Sequence, residues 1–181
     1  MWVFGYGSLM WNPGFEAREK VLATLRGYRR CFCMRSVHHR GTRDNPGLVL
    51  ALDKNPNAEC LGVALAVATG EEGRVLRYLR ERELISSAYI EKRLDISLCD
   101  GRTVAAVTYV VDDRHEQYCG ELDGECQARI ISRAAGGRGP NDEYLYNTAE
   151  HLAGLGIIDG DIEWLVRRVR KLGNGRLAPL S

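Results

Sequence analysis

Glu83 sits where a helix would be expected to carry a leucine. Val75, Leu76 and Leu79 recur at the spacing of one helical face, and Glu83 follows four residues after Leu79, inside the same apolar stripe. Glu81 projects to the opposite side and is expected in water. Taking a lone carboxylate out of water is costly. Two roles suit such a residue: a structural ion pair with Arg80 or Arg82, or a desolvated general base with a raised pKa.

The second chemical feature lies at the start of the chain. Trp2-Val3-Phe4 reads as a short buried strand that runs into Gly5-Tyr6-Gly7-Ser8-Leu9-Met10. Two glycines around a tyrosine permit a sharp turn and leave amides uncovered by side chains. Successive N–H groups at a strand end can form a nest for an anion. Three familiar loops do not fit. A dinucleotide fingerprint needs a third glycine where this chain has Met10. A nucleophile elbow needs glycines where Tyr6 and Met10 flank Ser8. The Gly-Lys-Ser/Thr ending of a phosphate-binding P-loop is missing. Cys31-Phe32-Cys33, followed by His38-His39, raises zinc, but the alternate positions of a strand are not the spacing of zinc-binding turns. No metal is expected, and these cysteines read as small core residues.

The elements that must position these residues follow from the hydrophobic pattern. Strands are expected over 2–6, 31–34, 48–52 and 61–67, the last two bounded by Pro46-Gly47, Asn55-Pro56-Asn57 and Thr69-Gly70 turn signals. Leu94, Ile96 and Leu98 alternate with polar residues, and Asp100-Gly101 makes a hairpin turn into a strand over 103–111. Six or more strands with short connections imply an α+β fold, a mostly antiparallel closed or nearly closed β-barrel with flanking helices. The helix over 69–85 is expected to start at a Thr69/Glu72 capping box. Further helices are expected over 121–135, over 143–155 behind an Asn141 cap, and along Ile162, Leu165, Val166, Val169 and Leu172 to Gly173. The run Arg167-Arg168-Val169-Arg170-Lys171 reads as the solvated face of that last helix.

A chain of 181 residues suits one domain spanning 1–181 and can bury a sufficient core. Its formal net charge of +1, with no aromatics interleaved in the basic run, argues against nucleic acid as a partner. Neither a signal peptide nor a membrane-spanning apolar segment is visible, so a cytoplasmic protein with six reduced cysteines is expected.

Phe4-Gly5-Tyr6-Gly7-Ser8-Leu9 resembles the substrate-binding signature of the ChaC family, the glutathione-specific γ-glutamylcyclotransferases. Tyr78-Leu79-x-x-Arg82-Glu83 resembles the family segment whose glutamate is the catalytic acid/base, and Glu83 is the matching residue. Val37-His38-His39-Arg40-Gly41, Cys60-Leu61-Gly62-Val63-Ala64 and Gly139-Pro140-Asn141-x-Glu143-Tyr144-Leu145 are similar to further family segments, in the same order. The family usually follows its Arg-Glu with Lys-Gly-Gly-Tyr, whereas this chain has the longer, glycine-free Leu84-Ile85-Ser86-Ser87-Ala88-Tyr89. The resemblance implies a γ-glutamylcyclotransferase-like fold, Glu83 as catalytic residue, and Phe4, Gly5, Tyr6, Gly7, Ser8, Leu9 and Tyr144 around the substrate. It implies cleavage of glutathione to 5-oxoproline and Cys-Gly by intramolecular aminolysis, without cofactor or metal. Alternatives are a cyclotransferase for another γ-glutamyl amine or carrier, and a non-catalytic γ-glutamyl-binding regulator. Release of 5-oxoproline separates the three.

Overall fold

The structure, a computed structural model, describes residues 1–84 and 87–174. Two compact units divide the chain: Met1–Cys31 with Ala51–Tyr118, and Phe32–Leu50 with Cys119–Ser181. Five strands close into a barrel in the order β1 (Trp2–Gly5), β3 (Gly47–Val67), β2 (Ala17–Ser36), β4 (Tyr89–Leu98), β5 (Thr103–Val111). Strand β1 pairs antiparallel with β3, Phe4 opposite Ala64, and parallel with β5, Trp2 opposite Ala106. A four-residue strand thus lies between two longer ones, and Val3 and Phe4 are fully buried. The β4–β5 hairpin pairs Ser97 with Thr103, as the Asp100-Gly101 turn predicts.

The barrel itself takes five strands, and the six or more strands expected are reached only with the separate two-stranded sheet counted. Strand β2 begins at Ala17, well before the expected 31–34 segment, because its polar residues Arg18, Lys20 and Arg26 alternate with more buried neighbours and hide the apolar pattern. Strand β3 runs on through Asn55-Pro56-Asn57, which reads as a turn in the sequence. Pro56 and Asn57 are exposed there, and the Asn57 N–H bonds Asn55 Oδ1 at 3.1 Å, so the missing proline donor leaves no buried gap. The expected 48–52 and 61–67 segments therefore fall within one long strand.

The first unit also holds a 3-10 turn, Ser8–Met10, and helix α1, Glu72–Glu83. The helix starts later than the capping box predicts, behind Glu71, which makes no side-chain cap. Glu72 instead accepts the Gly70 N–H at 2.8 Å. Val75 and Leu79 are buried, whereas Glu81 is exposed as expected. The end of the expected helix at Ile85 lies outside the described residues.

The second unit contains α2 (Gly124–Ile131), the two-stranded β6 (Ala135–Gly136) and β7 (Gly139–Pro140), α3 (Asn141–Gly154) and α4 (Gly160–Asn174). Asp123 caps α2 through the Cys126 N–H at 2.9 Å, which shortens the expected 121–135 helix. Along α4, Ile162, Leu165 and Val169 are buried. The basic run is only partly a solvated face, since Arg168 bonds Glu125 at 2.6 and 2.7 Å. Cys60, Cys99, Cys119 and Cys126 are free thiols, but Cys31 and Cys33 are disulfide-bonded, against the expectation of six reduced cysteines. Alternate residues of a strand leave the same face, and Cys31, Cys33 and Asp53 bring their ligand atoms within 4.8 Å of one another. No described helix is long and apolar enough to cross a membrane.

Asn141 does not cap a helix with its side chain, because Pro140 holds the N-cap position. It is fully buried, and its amide takes both backbone groups of Leu48: the Leu48 N–H donates to Oδ1 at 2.6 Å, and Nδ2 donates to the Leu48 carbonyl at 2.7 Å. Asn141→Ala should strand both groups and lower stability by about 2–6 kcal/mol, since each orphaned buried group costs roughly 1–3 kcal/mol. Chemical denaturation checks this, with a lower midpoint expected at unchanged slope.

Candidate active site

The first unit brings the N-terminal loop and Glu83 onto one guanidinium. Glu83 is the last residue of α1, where the helix dipole is unfavourable to a carboxylate. Its side chain is 20 % exposed, and Oε1 lies 3.0 Å from Arg82 Nε. Arg82 Nη2 donates to Ser8 Oγ at 2.9 Å, and Nη1 donates to the Asn12 carbonyl at 2.7 Å and, more weakly, to the Tyr78 hydroxyl at 3.3 Å. Gly14 holds a positive φ of 76°, and a Cβ there would stand 2.0 Å from the Tyr78 hydroxyl. No larger residue fits beside that phenol.

Arg80, the other expected partner of Glu83, is committed elsewhere. Its Nε and Nη2 grip Glu91 at 2.8 and 2.7 Å, and this pair holds the Glu91 carboxyl below its ordinary range. The buried Tyr109 hydroxyl donates to Glu91 at 3.2 Å. Burial first, then Glu91 and more weakly Glu83, push the Tyr109 phenol far up, so it stays a protonated donor. Burial likewise lifts Glu83 above the ordinary glutamate value, and the Arg82 charge and hydrogen bond oppose that shift without cancelling it.

The loop that joins β1 to the 3-10 turn is tightly supported. The Phe4 side chain is fully buried and its carbonyl accepts from Thr108 Oγ1 at 3.1 Å, so Phe4 is a core residue that anchors the loop. Gly5 ends β1 opposite Val63, and a Cβ on it would meet Leu9 Cβ at 3.1 Å. The Tyr6 carbonyl accepts from Arg30 Nε at 2.7 Å, and Arg30 also bonds the Leu61 carbonyl. Gly7 precedes the turn with φ −135°, so its place does not depend on a left-handed backbone. The Met10 N–H returns to the Gly7 carbonyl at 2.9 Å, leaving Ser8 and Leu9 N–H as the first-turn donors without an intrahelical partner. Tyr6 and Leu9 are buried and Ser8 is half-buried.

Tyr144 belongs to the second unit. Its ring meets Phe32 edge-on, 6.1 Å between centroids, and Arg40 lies over it at 5.7 Å. Arg40 Nη1 also donates to the Pro140 carbonyl at 3.0 Å and lies 3.5 Å from Glu143. In the same loop, burial and then Arg138, His38 and Arg40 lower the His39 pKa, which favours neutral imidazole. Sequence reasoning missed Arg30, Tyr109 and the three-way role of Arg82. Nothing local signals them, because their partners lie far along the chain.

The chain is similar to known proteins over nearly its whole length. A family model described as ChaC-like protein matches residues 1–172. The chain is 37% identical over 172 residues to the Escherichia coli (strain K12) glutathione-specific γ-glutamylcyclotransferase, covering 95% of this chain and 74% of the relative. It is 35% identical over 178 residues to γ-glutamylcyclotransferase 2-3 of Arabidopsis thaliana, covering 95% of this chain and 89% of that one. The crystal structure of a yeast γ-glutamyl cyclotransferase specific to glutathione superposes with a TM-score of 0.86 at 22% identity, covering 98% of this chain and 99% of the other. That likeness establishes the fold, with its closed barrel and flanking helices.

The raised pKa of Glu83 has a consequence for stability. The folded chain binds this proton more tightly than the unfolded chain, so ionised Glu83 weakens the fold above its folded pKa. That cost fades as pH falls through the raised pKa and is gone below the ordinary value of 4.5. Glu83→Gln should therefore melt above the parent protein at neutral pH, and the gap should close in acid. Melting curves over a pH series check this. A variant that melts lower at neutral pH would make the Arg82 ion pair the main service of Glu83.

Proposed function

The chain belongs to the ChaC-like protein family, and on that basis we propose that it is a glutathione-specific γ-glutamylcyclotransferase with Glu83 as its acid/base. The observation that carries the assignment is a carboxylate of raised pKa tied through one guanidinium to the Ser8 loop. The names of the E. coli and Arabidopsis relatives supply the reaction class.

The free α-amine of the γ-glutamyl group attacks its own side-chain carbonyl carbon. A five-membered ring closes, the amide bond to the cysteinyl nitrogen breaks, and 5-oxoproline and Cys-Gly leave. Nucleophile and electrophile share one molecule, so the protein mainly holds a near-attack geometry. An α-amine with a pKa of roughly 8 arrives protonated at neutral pH. Glu83 accepts that proton and returns it to the departing nitrogen, and the second proton that the α-nitrogen sheds as the lactam N–H forms follows the same route, so Cys-Gly leaves as an ammonium and the proton count is unchanged over the cycle. The Ser8 and Leu9 amides, with Tyr6 and Gly7 beside them, receive a substrate carboxylate or the developing oxyanion. Phe4 and Gly5 fix the path of that loop. Each step uses the chain's own groups. A glutathione-consuming reaction fits the cytoplasm, where glutathione sets the thiol poise.

Incubation with glutathione should release 5-oxoproline, and release from other γ-glutamyl amines under the same conditions sets the substrate range. Glu83→Gln keeps size and hydrogen bonding but removes the basic oxygen, so turnover should fall at least about 10²-fold while binding persists. Glu81→Gln, on the exposed side of α1, should change little. The kcat of the parent protein should rise with pH through the raised Glu83 pKa. Full turnover with Gln at position 83 would refute the mechanism. Activity should also survive exhaustive chelation, and a loss restored by zinc would refute the metal-free reading.

A further inference from the structure

We propose that Arg82 is a positioning residue for this reaction: one guanidinium sets the Glu83 carboxylate at a fixed place relative to the Ser8 loop. The inference rests on Glu83 being the base. Nε lies 3.0 Å from Glu83 Oε1, Nη2 is 2.9 Å from Ser8 Oγ, and Nη1 is 2.7 Å from the Asn12 carbonyl. Three nitrogens of a rigid plane thus reach the base, the start of the 3-10 turn and the second residue past its end. The fork leaves little freedom, since guanidinium is planar and its donors are fixed relative to one another. The tie is partly shielded as well, with the Arg82 and Glu83 side chains 23 % and 20 % exposed. Tyr78 steadies the plane from one turn earlier, and Gly14 leaves room for that phenol.

Ring closure makes two demands on the base, and Arg82 serves both. The carboxylate must stand at the α-amine while the loop holds the rest of the γ-glutamyl group. A misplacement of about 1 Å can cost roughly 10²-fold in rate. The carboxylate must also be ionised when substrate arrives, although burial favours its neutral form. Groups acting on Glu83 come from two elements. Arg82 of α1 favours the ionised form, and Tyr109 of β5 stays a neutral phenol bonded to Glu91 of β4. Arg80, the other cation of the last helical turn, is taken by the same Glu91. Arg82 is therefore the cation that keeps this base charged. An ammonium at position 82 would keep the charge but could not span all three contacts.

The test compares Arg82→Gln, Arg82→Lys and Ser8→Ala with the parent protein, by 5-oxoproline release across pH and by carbon-13 NMR titration of the glutamate carboxyls. The titration needs no substrate, with Glu83→Gln identifying the signal. For Arg82→Gln, the Glu83 midpoint and the acid limb of kcat should both move to higher pH, and plateau kcat should fall. Arg82→Lys should leave the midpoint near its parent value and lower plateau kcat by about 10- to 10²-fold. Ser8→Ala cuts one arm, so it should lower kcat less and leave the midpoint in place. An unmoved Glu83 midpoint in folded Arg82→Gln, or a parental plateau in Arg82→Lys, overturns the inference. Should Arg82→Gln fail to fold, Arg82→Lys and Ser8→Ala still decide the positioning role through kcat at parental midpoint. A parent protein that releases no 5-oxoproline sinks the proposed reaction instead, while the titration still reads the Arg82–Glu83 tie.

Discussion

Holding a carboxylate at the end of an apolar helical stripe is the constraint around which the first unit is arranged. Desolvation and the helix C-terminus both disfavour the charge, and neither can be removed without moving Glu83 off the buried side of α1. The neighbouring guanidinium answers only part of that cost, because the pKa remains raised. Full neutralisation would serve the fold better and the chemistry worse. A tightly paired carboxylate has a low pKa and little appetite for a proton, whereas a wholly buried one is already protonated. Partial exposure with one partial counter-charge lies between these limits. Sites of this kind commonly trade stability for activity.

The loop facing that base gains its rigidity from backbone geometry. Strand β1 is only four residues long, yet it is bonded on both sides, by β3 and by β5. At its end the path is set by close approach: a Cβ at Gly62 would stand 2.4 Å from the Gly5 carbonyl, and the 3-10 turn folds back over Gly5 itself. Arg30 then takes the Tyr6 carbonyl, and Arg82 takes the Ser8 hydroxyl. Carbonyls and side chains of the loop are thus used internally, while the first-turn amides of Ser8 and Leu9 have no intrahelical partner. A functional loop carried on paired strands is more exactly placed than one hung between free ends.

Local pattern made some of this legible and distance along the chain hid the rest. Helical periodicity separates Glu83 from Glu81 because both sit on one regular element, and the Asp100-Gly101 turn fixes the β4–β5 register from adjacent residues. The strand over 17–30 was obscured because polar residues on one side interrupt its apolar pattern. The proline inside β3 reads as a breaker until its exposure is known. Arg82 meets Ser8 across 74 positions and Asn141 meets Leu48 across 93, separations at which no spacing rule operates. Asn141 shows the difference in kind. A buried asparagine beside a helix start invites the capping interpretation, but both hydrogen-bonding ends of its amide are spent on one strand residue.

The same logic explains why an ordinary carboxylate would be a poor base for this ring closure. An α-ammonium of pKa roughly 8 donates reluctantly to a glutamate near 4.5, and each unit of mismatch costs about 1.4 kcal/mol in the transfer. Burial narrows the gap by raising the acceptor. It also lowers the fraction of chains whose Glu83 is ionised, so narrowing cannot continue without limit at neutral pH. The guanidinium bounds the shift from above by favouring the charged form. Desolvation and Arg82 therefore oppose each other for a reason beyond electrostatic bookkeeping. In the proposed reaction, one would make the carboxylate willing to take a proton, and the other would keep it free of one until the substrate's amine arrives.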